Sequence, residues 1–166
     1  MSPQAAEPDI KNTGLRIPLK IIVKAGLTAG TLDAMAAVAN YLIATSGKSP
    51  VKVFQFIASG VFGAEAFAGG LPMALVGVFF HYAIASSWTA VFFFTYPRAK
   101  VFSKNLYATG TLYGLVIWLV MNLIVLPLSN VPQMQLTFVN SLLGVAILMA
   151  CVGIPVSLII GRYYVK

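Results

Sequence analysis

The chain alternates between long apolar stretches and short polar connections. Four stretches carry almost only apolar side chains, and they span residues 21–45, 72–96, 107–126 and 138–161. A helix needs about 20 such residues to cross the roughly 30 Å of hydrocarbon in a bilayer, and each stretch is long enough. The pattern therefore predicts an all-α fold, an integral membrane four-helix bundle with these stretches as its spans.

The N-terminal segment and the length of the chain indicate the domain organisation. Residues 1–17 are polar, contain proline and show no periodicity, so we expect a flexible cytoplasmic tail. Four helices and their connections use all of residues 18–166, which predicts a single four-span transmembrane domain. The first span exceeds the apolar core of a signal peptide, about 7 to 15 residues, so we interpret it as a retained helix.

A segment too short to cross the membrane, residues 51–70, lies between the first two spans. Lys52, Gln55 and Ser59 recur at helical spacing and predict a polar face, with an apolar face opposite. We expect a short amphipathic helix at the membrane interface, with this polar face toward water. Several glycines follow, so a partly re-entrant path is the alternative, because protein or water can satisfy its backbone.

Two pairs of short sequences predict an internal repeat of two helical hairpins. Gly30-Thr31-Leu32 in the first span matches Gly110-Thr111-Leu112 in the third. Gly77-Val78 in the second span matches Gly144-Val145 in the fourth, at a shorter spacing. The difference in spacing is about the size of the interfacial helix, so that helix would be an addition to the first half. Chance identity between apolar sequences is the alternative.

Composition agrees with a membrane location. Hydrophobic residues make up 59% of the chain and charged residues 9%, with a mean hydropathy of +0.88. Soluble domains are typically about 45–50% apolar and 25% charged. The net charge of +7 would suggest nucleic acid for a soluble protein, but here the charges lie at helix ends. We therefore expect the lipid bilayer as partner and no nucleic acid.

The distribution of basic residues predicts the orientation in the membrane. With four spans, nine Lys and Arg fall on one side and two on the other. Positive residues in short loops are retained in the cytoplasm, which predicts a multi-pass protein of the cell inner (plasma) membrane with both termini cytoplasmic. The nine are Lys11, Arg16, Lys20, Lys24, Arg98, Lys100, Lys104, Arg162 and Lys166, and the two are Lys48 and Lys52.

One carboxylate, Asp33, lies within the first span. The eight strongly apolar side chains of that span contribute about 2.4–4.8 kcal/mol to insertion, against a cost of about 2.5–3.5 kcal/mol for a central aspartate. The carboxyl group therefore needs a partner or a proton. His81, the sole histidine, lies at a similar depth in the second span. We expect Asp33 to face His81, with Asn40 and Asn122 completing an intramembrane polar site.

Small residues predict where the helices touch. Gly26 and Gly30 form one GxxxG pattern, and Gly110 and Gly114 form another. Helices in lipid associate through such residues because their backbones can approach closely. Pro155 is expected to kink the fourth span, because proline lacks a backbone N–H.

The inventory of reactive side chains does not favour an enzyme. The chain has one histidine, one cysteine and few carboxylates, whereas metal sites usually need three or four ligands. We expect no catalytic residue, no metal and no cofactor. Cys151 is interpreted as a small packing residue.

The sequences "QFIASGVFGAEAFAGG", "HYAIA" and "LYGLVIWLVMNLIVLPLS", the last covering Leu112 to Ser129, carry a resemblance. Over most of its length after about Lys24, the chain resembles a group of small bacterial membrane proteins of unknown function. It is more distantly similar to the YagU-like inner-membrane family. The resemblance implies a four-helix inner-membrane protein and no particular activity.

Two functional hypotheses follow. The first is a non-enzymatic structural or accessory membrane component, in which Asp33 and His81 hold helices together. The second is a small proton- or solute-conducting protein, in which the same pair titrates along a pathway. Four helices leave little internal room, so conduction would require a homo-oligomer. Besides the bilayer, the expected partners are a second copy of the chain or another membrane protein.

Overall fold

The computed structural model describes residues 16–98, 105–132 and 137–164. These ranges contain no strand and form an all-α four-helix bundle, as the sequence predicts, with one additional short α-helix and the 3₁₀ helices Gly63–Phe67 and Tyr96–Arg98. Most of the predicted tail lies outside the described residues, as do residues 99–104, 133–136 and 165–166. Four of the basic residues used for the orientation, Lys11, Lys100, Lys104 and Lys166, fall in those undescribed parts.

The helices follow one another along the chain with short connections. They are α1 (Arg16–Ala44), α2 (Val51–Phe62), α3 (Gly70–Thr95), α4 (Leu106–Leu128) and α5 (Phe138–Tyr164). In α1, α3, α4 and α5, stretches of 26, 26, 23 and 27 residues are long and apolar enough to cross a membrane. The chain is therefore a multi-pass membrane protein whose helices coincide with the predicted spans.

The four long helices do not pack equally against one another. α1 contacts both α3 and α5, and α4 packs along α5. α3 and α4 lie apart and are bridged by Tyr113, whose hydroxyl donates a hydrogen bond to the carbonyl of Trp88. The Tyr113 ring also contacts Phe92, with 4.6 Å between ring centroids. On this side of the bundle, the side chain of Tyr113 thus joins α4 to α3.

The glycines of both GxxxG patterns lie at helix contacts. Gly26 and Gly30 are buried against α3, and Gly110 and Gly114 are buried against the backbone of α5. Gly153 on α5 faces Gly110, so that two backbones meet without an intervening side chain. This arrangement agrees with the prediction that small residues set the helix contacts.

Two π-helical turns interrupt the second pair of spans, and each ends two residues before a proline. Met121–Val125 precedes Pro127 in α4, and Leu148–Gly153 precedes Pro155 in α5. A proline ring clashes with the carbonyl one turn earlier, and a wider turn makes room for it. The sequence predicted a kink at Pro155 and did not predict either π-helical turn.

Helix α2 packs against α3, and this packing contradicts part of the prediction for its polar face. Lys52 is exposed, but Gln55 and Ser59 are buried, with 4% and 0% of their surface accessible. Gln55 Nε2 donates to the carbonyl of Gly70 at 2.9 Å, and Ser59 Oγ donates to its own helix. The expectation that all three meet water is wrong, because helical spacing identifies a face without identifying what covers it.

Asn130, just after the C-terminal end of α4, binds the C-terminal end of α2. The last carbonyls of a helix have no partner within the helix. Here the backbone N–H of Asn130 donates to Gly60 O at 3.0 Å, and Asn130 Nδ2 donates to Val61 O at 2.9 Å. Asn130 therefore caps α2 and ties it to the second half of the chain.

The two helical hairpins differ in detail. Gly77 faces the backbone of Phe54 in α2, whereas Gly144 faces the side chain of Trp118 in α4. The matching glycines therefore make different contacts, and the internal repeat stays a prediction.

Candidate intramembrane polar site

The polar site lies at the interface between α1 and α3. Ala25, Gly26, Ala29 and Gly30 form a stripe of small residues that is buried on α1. A Cβ atom on Gly30 would lie 3.0 Å from the Tyr82 ring, so α3 fits closely against this stripe. Asp33 follows Gly30 by three residues, which places its side chain on the same face of the helix.

His81 connects α3 to the backbone of α1. Its Nε2 atom lies 2.8 Å from the carbonyl oxygen of Gly30, and 11% of the side chain is exposed. A carbonyl oxygen can only accept a hydrogen bond, so Nε2 carries the hydrogen and donates it. The imidazole is therefore held by a backbone group whose presence does not depend on a side chain.

Asp33 lies beside this hydrogen bond. Its Oδ2 atom is 4.0 Å from His81 Nε2, and 21% of its side chain is exposed. That distance is too long for a hydrogen bond, so the two groups interact through their charges, and only when the imidazole is protonated. The sequence predicted this proximity, and the structure brings the two residues together.

A second polar contact lies next to the first. Thr31 Oγ1 and the hydroxyl of Tyr82 are 3.0 Å apart, and either can donate. The rings of His81 and Tyr82 pack edge to face, with 5.5 Å between their centroids. Sequence reasoning missed Thr31 and Tyr82, although each directly follows a residue that it did select, Gly30 and His81 respectively.

Asn40 and Asn122 do not join the site. Asn40 is exposed on α1, seven residues from Asp33, which is about 10 Å along the helix axis. Asn122 Nδ2 donates to the carbonyl of Trp118 within its own helix at 2.9 Å. No hydrogen bond in the described ranges connects either asparagine to Asp33 or His81. The predicted four-residue polar site therefore reduces to Asp33 and His81.

The π-helical turn of α5 borders the site from the other side. This turn packs against α1 and contains Cys151, which is half-buried and free. Within the described residues, no group of three or more His, Cys, Asp and Glu side chains has the arrangement of a metal site.

The geometry determines what the site can do chemically. His81 supplies one donated hydrogen bond across a helix interface, and Asp33 supplies one carboxyl group within reach of it. Such a pair can join two helices, and it can also exchange a proton.

In comparisons with known proteins, no family model, no curated protein and no solved structure matches this chain.

Proposed function

We propose that the protein is a non-enzymatic structural or accessory component of a membrane, in which His81 fixes α3 against α1. The hydrogen bond from His81 Nε2 to Gly30 O, at 2.8 Å, carries this proposal. A group that serves as a permanent donor to a backbone carbonyl is suited to hold helices together. On this proposal Asp33 affects the charge at the interface between α1 and α3, but the hydrogen bond of His81 is the main contact that holds the two helices together.

The buried surface of α3 supports this proposal over conduction. Besides His81, which is partly exposed, the helix buries Ala74, Gly77, Ala85, Thr89, Phe92 and Phe93. Thr89 donates its hydroxyl hydrogen to the carbonyl of Ala85 within the same helix. A proton that left His81 would therefore meet no second titratable group among these buried residues.

The location and orientation belong to the same proposal. Lys20, Lys24 and Arg162 are exposed near the ends of their helices, and Lys48 and Lys52 are exposed in and after the connection that follows α1. The excess of basic residues near the termini favours cytoplasmic termini. The resemblance to small bacterial inner-membrane proteins favours a bacterial inner membrane.

A small proton- or solute-conducting protein is the second candidate, and the exposure of Asp33 favours it. With 21% of its side chain accessible, the carboxyl group of one chain reaches the surface of the bundle. A second copy packed there would enclose Asp33 and His81 between chains. Conduction on this hypothesis requires an oligomer.

Substitutions at His81 and Asp33 test the structural proposal. His81→Leu should lower the free energy of unfolding by about 1 kcal/mol, because one hydrogen bond is lost. His81→Gln should keep most of that stability, because its amide can still donate to Gly30 O. Asp33→Asn should lower it by less than His81→Leu does, because the carboxyl group lies 4.0 Å from His81 Nε2 and makes no hydrogen bond to it. Unfolding in mixed micelles, followed by circular dichroism, measures these changes.

The matched control is Ser87→Ala, which removes an exposed hydroxyl that bonds only within α3. It should leave the unfolding free energy unchanged. A larger loss for Asp33→Asn than for His81→Leu would contradict the proposal, because the carboxyl group would then be the main link.

Proton flux separates the two candidates. Liposomes containing the protein and a pH-sensitive dye should show background flux for both the natural chain and Asp33→Asn. The conducting hypothesis instead predicts flux in the natural chain that Asp33→Asn removes while the helices stay folded.

A further inference from the structure

The gap between α3 and α4 contains an apolar cavity of about 170 Å³. The rings of Phe92, Tyr96 and Tyr113 form part of its wall, and Leu112 and Val116 complete the side that α4 contributes. The cavity lies beside the contacts that Tyr113 of α4 makes with Trp88 and Phe92 of α3.

The hydroxyl of Tyr96 is buried and has no hydrogen-bond partner in the described part of the chain, but the other polar side chains of the cavity wall are satisfied. Thr95 donates its hydroxyl hydrogen to Val91 O at 2.8 Å, and the Tyr113 hydroxyl donates to Trp88 O. Thr109 donates to Asn105 O at 2.9 Å. An occupant therefore meets mainly carbon, which suits a hydrocarbon chain better than water.

The cavity opens sideways, toward the surface that lipid would cover. Leu112 and Val116 at its rim are 42% and 41% exposed. Both belong to a helix that is long and apolar enough to cross a membrane. A chain from a neighbouring lipid could thus enter between α3 and α4 without opening the bundle.

The charge at this end of the bundle indicates which lipid fits. Tyr96 lies near Gly161, and the next residue, Arg162, is exposed. Gly26 faces Ser86 and Gly30 faces Tyr82, so α1 runs antiparallel to α3, and the exposed Lys20 near the start of α1 lies at this end as well. Basic residues at a membrane surface attract anionic headgroups.

We propose that the groove between α3 and α4 binds one acyl chain of an anionic phospholipid, with the headgroup beside Arg162. The lipid belongs to the leaflet at which α3 ends and α4 begins. This proposal does not depend on the role of Asp33 and His81.

Filling the groove tests the acyl-chain contact. Purified protein is mixed with phosphatidylglycerol, and retained lipid is measured by native mass spectrometry. Leu112→Trp should abolish retention, because the indole occupies the groove. Leu123→Trp lies on the same helix, at a position that is 61% exposed and outside the cavity wall, and it should retain lipid like the natural chain. Retention by folded Leu112→Trp would overturn the proposal.

Removing the charge tests the headgroup contact. Arg162→Gln should weaken retention of phosphatidylglycerol about fivefold, as expected for one basic residue near an anionic surface, and leave phosphatidylcholine unchanged. Lys48→Gln, in the connection after α1, should have no effect. Equal retention of the two lipids by the natural chain would overturn the proposal.

A third measurement needs no substitution in the groove. Trp88 contacts Tyr113 with 6.3 Å between ring centroids, so its fluorescence reports on this region. In Trp118→Phe, a small fraction of phosphatidylglycerol with brominated acyl chains should quench Trp88 more than the same fraction of brominated phosphatidylcholine. Equal quenching, or crosslinking of the groove to a second copy of the chain, would count against a bound anionic lipid.

Discussion

At the scale of single residues, the polar site depends on a glycine as much as on ionisable groups. The absence of a side chain at Gly30 lets Tyr82 and Ala85 approach, since a Cβ would lie 3.0 and 3.2 Å from them. The same close approach brings the Gly30 carbonyl within reach of His81. The sequence predicted the proximity of Asp33 and His81 from their depth, but backbone acceptors such as Gly30 O leave no signature in it.

A glycine on α3 offers the sharpest test at this scale. In Gly77→Ala, the added Cβ would overlap the backbone carbonyl of Phe54, and backbone cannot move aside cheaply. We expect α2 to be displaced and the free energy of unfolding to fall by about 1 to 3 kcal/mol, the usual cost of overpacking. Thermal unfolding in detergent measures the loss.

The control for this substitution lies on α2 itself. In Gly60→Ala the nearest atom to the new Cβ would be 3.7 Å away, an ordinary contact. Because alanine is the better helix former, this variant should be as stable as the natural chain or more stable. Equal stability of the two variants would show that α2 does not pack on Gly77 in solution.

At the scale of elements, the periodic pattern of α2 predicted a helix but not which of its side chains are buried. Lys52, Gln55 and Ser59 recur at helical spacing, but Gln55 bonds to α3 and Ser59 is buried. Val61 and Phe62 are exposed instead, at 56% and 45%. The two π-helical turns could not be predicted from the sequence either. A proline indicates a break in the helical hydrogen bonding, but it does not specify how the helix adapts.

Spin labels along α2 test this arrangement. In a Cys151→Ala background, a label at Lys52 should be accessible to a water-soluble relaxation agent, and one at Val61 to oxygen from the lipid. A label at Gln55 should be shielded from both, because the position is buried against α3. Equal water accessibility at Gln55 and Lys52 would contradict this arrangement and would support an interfacial helix whose whole polar face meets water.

At the scale of the whole molecule, the four spans were predictable because their apolar length exceeds what a bilayer requires. The GxxxG patterns also indicated which faces touch. The bridge between α3 and α4 was not predictable, because it consists of contacts that Tyr113 makes with the Trp88 carbonyl and the Phe92 ring of another helix. Which helices become neighbours depends on such contacts, and hydrophobic patterns along one chain do not record them.

The orientation is the remaining prediction at this scale. Cysteines introduced at Ser49 and Ser129, in a Cys151→Ala background, should react with a membrane-impermeant reagent in intact cells if both termini are cytoplasmic. A cysteine introduced at Asn105, between α3 and α4, should react only after the cells are opened. The reverse pattern would invert the topology.

The cap that Asn130 places on α2 has a consequence for how the protein is made. The Asn130 amide and the Val61 carbonyl are 69 residues apart in sequence. At synthesis rates of about 5–20 residues per second, Asn130 is synthesised about 3 to 14 seconds after Val61. During that interval α2 can pack on α3, but its Gly60 and Val61 carbonyls lack the donors that Asn130 supplies. We therefore expect α2 to dock fully only after the third span has been inserted, later than its own place in the chain would suggest.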